Sequence, residues 1–134
     1  VSRAFMGAVV ATACVTLAPA AAAQPSYPTD DRGFVGSEVR CDAPASVVVF
    51  GRTAESLVAI CLDANGHYEY RGARIGDNAV LVVVAEPTVP GEFFAQKNGA
   101  TYTVTAKELM IKSDAFVRNE PMIAFAGPGI PIEG

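Results

Sequence analysis

Asp63 and His67 stand four positions apart in the stretch "ICLDANGHYEY", residues 60–70, and His67 is the only histidine of the chain. A carboxylate that orients an imidazole is the base-and-orienter half of a hydrolytic triad. The nucleophile is the missing part. No GxSxG motif occurs, and Ser56 falls at the far end of the segment that leads to Asp63. Placed across the mouth of a β-hairpin, the same pair is a surface cross-strand contact, a few tenths to about 1 kcal/mol. The hairpin reading is the stronger one. No residue is assigned a catalytic role.

Other side chains offer chemistry with less support. Arg71 and Arg74 could hold an anionic ligand, but Glu69 and Asp77 lie beside them and suggest a solvated face of mixed charge. A pair of carboxylates could cleave a glycosidic bond, yet nothing in the spacing of the 14 acids singles out a pair. Phe94 ends the Pro-Gly loop "EPTVPGEFF" on the polar parity of its strand and could form a binding lip. Together, Asp63, His67, Arg71 and Phe94 are the candidate ligand contacts. Cys41, Cys61 and His67 lack the paired spacing of a metal site. "GPGIP" lacks the strand-to-helix setting of a phosphate loop. No cofactor and no metal is expected.

Charge narrows the partners. Fourteen acids face 10 bases, for a net charge of −4, and no basic cluster occurs. Phosphate contacts need clustered Lys and Arg, so nucleic acid is a poor partner. The same lack argues against adhesion to anionic membranes.

The first residues predict export. Arg3 is a short basic region, Ala4 to Leu17 is apolar, and Ala21-Ala22-Ala23 offers the small residues of a cleavage site. Residues 1–23 therefore read as a signal peptide, and no membrane span is expected after its removal. "ATAC" at Cys14 is the lesser alternative, a lipid-anchored protein, although Ala11 stands where a lipobox prefers Leu. The protein is expected to be secreted or associated with the cell envelope. Cleavage leaves Cys41 and Cys61, which should pair in an oxidising compartment. A bridge closing so short a loop is worth about 3 kcal/mol in the chain-entropy model.

Positioning all these residues falls to β-structure. Residues 24–36 read as a flexible arm, 37–126 as a β-domain and 127–134 as a tail that packs through Ile130 and Ile132. The domain alternates β-branched runs with turn signals: "SVVVFG", "SLVAICL", "HYEYRGA", "AVLVVVA", "EFFAQK", "TYTVTA", "ELMIKS", "AFVRNE" and "MIAFA". "TAESLVAICLDANG" could also be a helix capped by Thr53, but its short apolar run and the β-prone stretch behind it favour a strand. The fold class is all-β: a small antiparallel meander forming a barrel or a sandwich.

Burial pattern selects the registers. A three-residue Ala64-Asn65-Gly66 loop sets Leu62 against Tyr68, Ile60 against Tyr70 and Val58 against Gly72 on one apolar face. Asp63 then meets His67, Cys61 meets Glu69 and Ala59 meets Arg71 on the other. The bridge lies on that second face, so the N-terminal segment must cross it or pair at its edge. A two-residue Asn98-Gly99 turn sets Ala95 against Tyr102 and Phe93 against Val104. Ser113-Asp114 marks a further turn. Val80 to Ala85 is apolar on both parities, which predicts a central strand covered on both sides.

The segments "LVAIC", "YEYRG" and "TYTVT", within a likeness spanning about residues 38–126, resemble small secreted proteins of unknown function from mycobacteria and related actinobacteria. The resemblance implies export and a cell-envelope setting. It assigns no residue a role.

Two functions follow as expectations. One is a secreted, disulfide-stabilised, non-enzymatic module that binds an envelope component, a protein or a small ligand. The other is a small secreted hydrolase using Asp63 and His67 or a carboxylate pair. Edge strands also permit a homodimer.

Overall fold

The computed structural model describes residues 27–127. The expected signal peptide, Cys14, Ile130 and Ile132 lie outside the described residues.

Every described element is a strand. A short hairpin pairs β1 (Thr29–Asp30) with β2 (Gly33–Phe34). Nine strands then form one antiparallel sheet: β3 (Ser46–Arg52), β4 (Ser56–Leu62), β5 (Tyr68–Arg74), β6 (Val80–Pro87), β7 (Phe93–Lys97), β8 (Ala100–Val104), β9 (Glu108–Lys112), β10 (Val117–Pro121) and β11 (Ala124–Ala126). The ambiguous stretch around Leu57 is strand β4. Consecutive strands are neighbours from β3 to β10, as short connections between alternating runs dictate, and β11 returns to pair with β3.

The sheet curls into a half-barrel rather than a sandwich. Its last run shows how. Strands β10 and β11 occupy opposite edges, yet only Met122 and Ile123 separate them. The Met122 N–H donates to Lys107 O at 2.9 Å, on the β9 side. The next N–H, of Ile123, donates to Arg52 O at 2.7 Å, on the β3 side. One chain segment thus draws both edges to a single corner.

Local turn chemistry sets the expected registers. Leu62 pairs with Tyr68, Ile60 with Tyr70, and Val58 with Gly72, while Gly66 takes the left-handed φ of 84° that ends the three-residue loop. Asn98 and Gly99 both have positive φ, 52° and 81°, as a type I′ turn requires, and Ala95 faces Tyr102. Ser113 N–H donates to Phe116 O at the turn joining β9 to β10.

Each face of the sheet packs a separate core. The inner face buries Val49, Val58, Ile60, Tyr70, Phe93, Val104, Leu109 and Phe125. The outer face of β3 to β5 buries Leu57 and Ala59 beneath Phe34 and Val39. This bears on residues 27–36 of the stretch read as a flexible arm, 24–36; residues 24–26 lie outside the described residues. From Tyr27 onward that segment is docked, because Phe34 inserts its ring edge-on against Phe50 at 5.8 Å and Val47 N–H donates to Asp31 O.

A second expectation is overturned at β6. It is the middle strand of the sheet, but its outer face is uncovered. Val80, Val82 and Val84 are 39 %, 39 % and 78 % exposed. The arm covers β3 to β5 and stops short of this strand. An apolar run on both parities reports burial only if some element is long enough to reach the second face.

Candidate functional site

The disulfide organises the outer face. Cys41 and Cys61 are bonded, with their Cα atoms 5.5 Å apart. Cys61 pairs across the sheet with Glu69, so the bridge stands on the face opposite Tyr68 and Tyr70. The segment Arg40–Asp42 crosses that face to reach it, as the register required.

Arg71 completes the attachment. Its Nε donates to Glu69 Oε1 at 2.7 Å, its Nη1 to Arg40 O at 3.0 Å and its Nη2 to Asp42 Oδ2 at 2.9 Å. The Arg71 side chain is only 15 % exposed. Burial alone would lower its pKa, but Glu69 and Asp42 outweigh that and hold it above the ordinary arginine value. Three partners leave it little capacity for an anionic ligand. Its work here is to clamp the crossing segment to β5.

Asp63 and His67 do come together. His67 Nδ1 lies 3.6 Å from Asp63 Oδ2, and the imidazole is 77 % exposed. Asp63 is engaged by the backbone instead: its Oδ1 accepts from Asn65 N–H at 2.8 Å and His67 N–H at 3.0 Å. The His67 amide is the largest cause holding the Asp63 carboxyl below its usual range. This carboxylate caps a turn. Among the described residues no hydroxyl or thiol hydrogen-bonds to His67. Ser56 pairs with Arg74, at the opposite end of the hairpin, and Cys61 is held in the bridge. The geometry gives the triad no nucleophile.

An open cleft of about 840 Å³ gathers these residues. Asp42, Asp63, His67, Glu69, Arg71 and Val84 line it. Its floor is sheet, its wall is the disulfide-tethered segment, and its open side runs onto the exposed valines of β6. Phe94 is on the outer face too, across from Glu86 and Thr103. It does not line this cleft.

A polar cluster on the inner face escaped sequence reasoning. Glu120 of β10 is 3 % exposed. Its Oε1 accepts from the Thr53 hydroxyl at 2.8 Å and the Ser56 hydroxyl at 2.7 Å. Its Oε2 lies 3.1 Å from Arg118 Nε, an ion-pair approach without hydrogen-bond alignment. Only "AFVRNE" hinted at it, by placing Arg118 and Glu120 on one parity. Nearby, Tyr70 and Tyr102 stack with centroids 5.3 Å apart. Burial pushes the Tyr70 phenol far above its ordinary range, with Tyr102 and Glu120 adding to the rise, so it stays protonated.

Among the described residues no group of three or more His, Cys, Asp or Glu side chains is placed to hold a metal ion. None of their elements is a helix long and apolar enough to cross a membrane. The fold and the bridge define a disulfide-stabilised all-β domain. No family model, curated protein or solved structure matches the chain.

Proposed function

We propose that this is an exported, non-enzymatic binding domain whose contact surface is the outer face of β6 with the adjoining cleft. The observation that carries the reading is the uncovered row Val80, Val82 and Val84. β-Propensity alone does not call for valine there, because the outer positions of β8 use Thr101 and Thr103, equally β-branched and polar. Apolar side chains left in a row on a water-facing strand mark interaction surfaces. Acidic groups border the row: Glu69 is directly opposite Val84, and Asp42 and Asp63 line the cleft. The fitting partner is a protein with an apolar ridge flanked by basic side chains, encountered outside the cytoplasm. The Cys41–Cys61 bridge and the signal-like residues 1–23 support that location.

Val84→Glu tests the surface, because a side chain so exposed can be replaced without touching either core. Lys112→Glu on β9 is the charge control, since it lowers the net charge by two where Val84→Glu lowers it by one. Immobilised wild type and Lys112→Glu should retain the same partner from culture filtrate or envelope extract, and Val84→Glu should lose it. Equal retention by all three would overturn the surface. Intact mass of the natively exported protein tests the location: it should begin at Gln24 and gain two hydrogens on reduction.

A further inference from the structure

The inner mouth of the half-barrel holds a second cleft, about 290 Å³, between the start of β6 and the turn before β10. Its lining differs in kind from the outer cleft. Arg74 and Arg118 line it together with Ser56, Tyr70, Tyr102 and Phe116, and no carboxylate does. Each arginine has a carboxylate partner outside the lining, Asp77 for Arg74 and Glu120 for Arg118, so the charged groups the cleft itself meets are guanidinium groups. The outer cleft, by contrast, sets Asp42, Asp63 and Glu69 against Arg71.

Arg118 is held but not used up. Its Nε faces the buried Oε2 of Glu120, and its guanidinium carbon lies 5.6 Å from the centroid of the Phe116 ring. Among the described residues neither Nη atom has a hydrogen-bond acceptor. The side chain is 42 % exposed, so its outer edge meets solvent at the mouth. Glu120 is itself anchored by the Thr53 and Ser56 hydroxyls, which fixes the orientation of the whole group. Arg74 spends one Nη on Asp77 at 2.9 Å. The remaining wall is apolar and aromatic: Tyr70, Tyr102, Leu81, Ile111 and Phe116.

We propose that this mouth binds a small organic carboxylate with a flat apolar body. The guanidinium fork of Arg118 matches a carboxylate in geometry as well as charge. The stacked tyrosines and Ile111 accept the apolar part. The volume admits a single-ring compound and stands at the small end of ligand sites. The cleft meets the outer row only at Val80, where β6 begins; Tyr70, Tyr102, Ile111 and Arg118 stand on the inner face of the sheet.

Benzoate is the probe, with benzamide as its neutral counterpart and inorganic phosphate as an anion lacking an apolar body. Binding is read from the ring signals of Tyr70 and Tyr102 in a labelled full-chain sample. Benzoate should shift both saturably, and benzamide and phosphate should bind about tenfold more weakly or not at all. Arg118→Gln should weaken benzoate by a similar factor. Because that change also removes the partner of Glu120, Leu81→Trp serves as a second variant that fills the mouth and leaves the ion pair intact. It should abolish the shifts while the chain still melts in one cooperative transition. Benzamide binding as tightly as benzoate would overturn the role of Arg118. Phosphate binding as tightly would overturn the role of the aromatic wall. Shifts that persist in Leu81→Trp would place the ligand elsewhere and overturn the site.

Discussion

The Ser56 hydroxyl donates to Glu120 Oε1 at 2.7 Å although the two residues are 64 positions apart. The bond ties the first residue of β4 to β10, close to where both sheet edges meet. Thr53 adds a second hydroxyl to the same oxygen. Glu120→Ala leaves two buried hydroxyls without an acceptor, and should cost about 2–4 kcal/mol. Glu120→Gln keeps the acceptor oxygen and should cost less. Urea unfolding of both variants measures the difference. A loss under about 1 kcal/mol for the alanine variant would mean the seam is held by packing alone.

The disulfide joins residues 20 positions apart. Replacing both Cys41 and Cys61 with Ala should lower stability by about 3 kcal/mol, by freeing the unfolded chain. It should also loosen the segment from Arg40 to Asp42, which the bridge holds on the outer face. Amide exchange should accelerate at Cys41 and Val47, whose N–H groups bond to Arg32 O and Asp31 O. Exchange unchanged at these two amides would show that Phe34 and Arg71 suffice to dock the arm.

Arg71 meets three acceptors in three directions, one of them a backbone carbonyl. Lysine cannot reach them together. Arg71→Lys should therefore destabilise by about 1–3 kcal/mol, in spite of the retained charge. The loss should vary little with salt, because a half-buried hydrogen-bonded group is weakly screened. Thermal unfolding at low and high salt reads both quantities. A strongly salt-dependent loss would reduce the clamp to simple charge attraction.

Asp63 gives a pH signature. Its carboxyl is held below the usual aspartate range, chiefly by the His67 amide. The sign follows from that direction. Its contribution is complete above the ordinary aspartate pKa and is lost as pH falls through the lowered folded value. Acid should thus open the hairpin tip, with the Asn65 and His67 amide signals moving together with the Asp63 carboxyl in an NMR titration. Asp63→Asn should remove the step. Amide signals that titrate at the ordinary value would detach the turn from this carboxylate.

Hairpin registers were legible because their causes are local. Gly66 and the pair Asn98-Gly99 set the turns, and one face of each hairpin had to be apolar. The pairing of Cys41 with Cys61 followed from their count and the expectation of an oxidising compartment, and its face followed from the register. Asp63 and His67 were rightly placed opposite each other. What they do there depended on the third dimension, since the backbone amides had already claimed the carboxylate.

The tertiary structure decided the rest. Val80, Val82 and Val84 look the same in sequence whether a layer covers them or not, and the reach of the arm determined that. Phe34 counted as arm until the outer face of β3 to β5 gave it a place to bury. Glu120 resembled any surface acid until curling brought Thr53 and Ser56 to it from across the chain. Strand identity and register come from near neighbours and a period of two, which the sequence carries by itself. Closure, coverage and buried polar contacts come from residues far apart in the chain, and only the folded sheet brings them together.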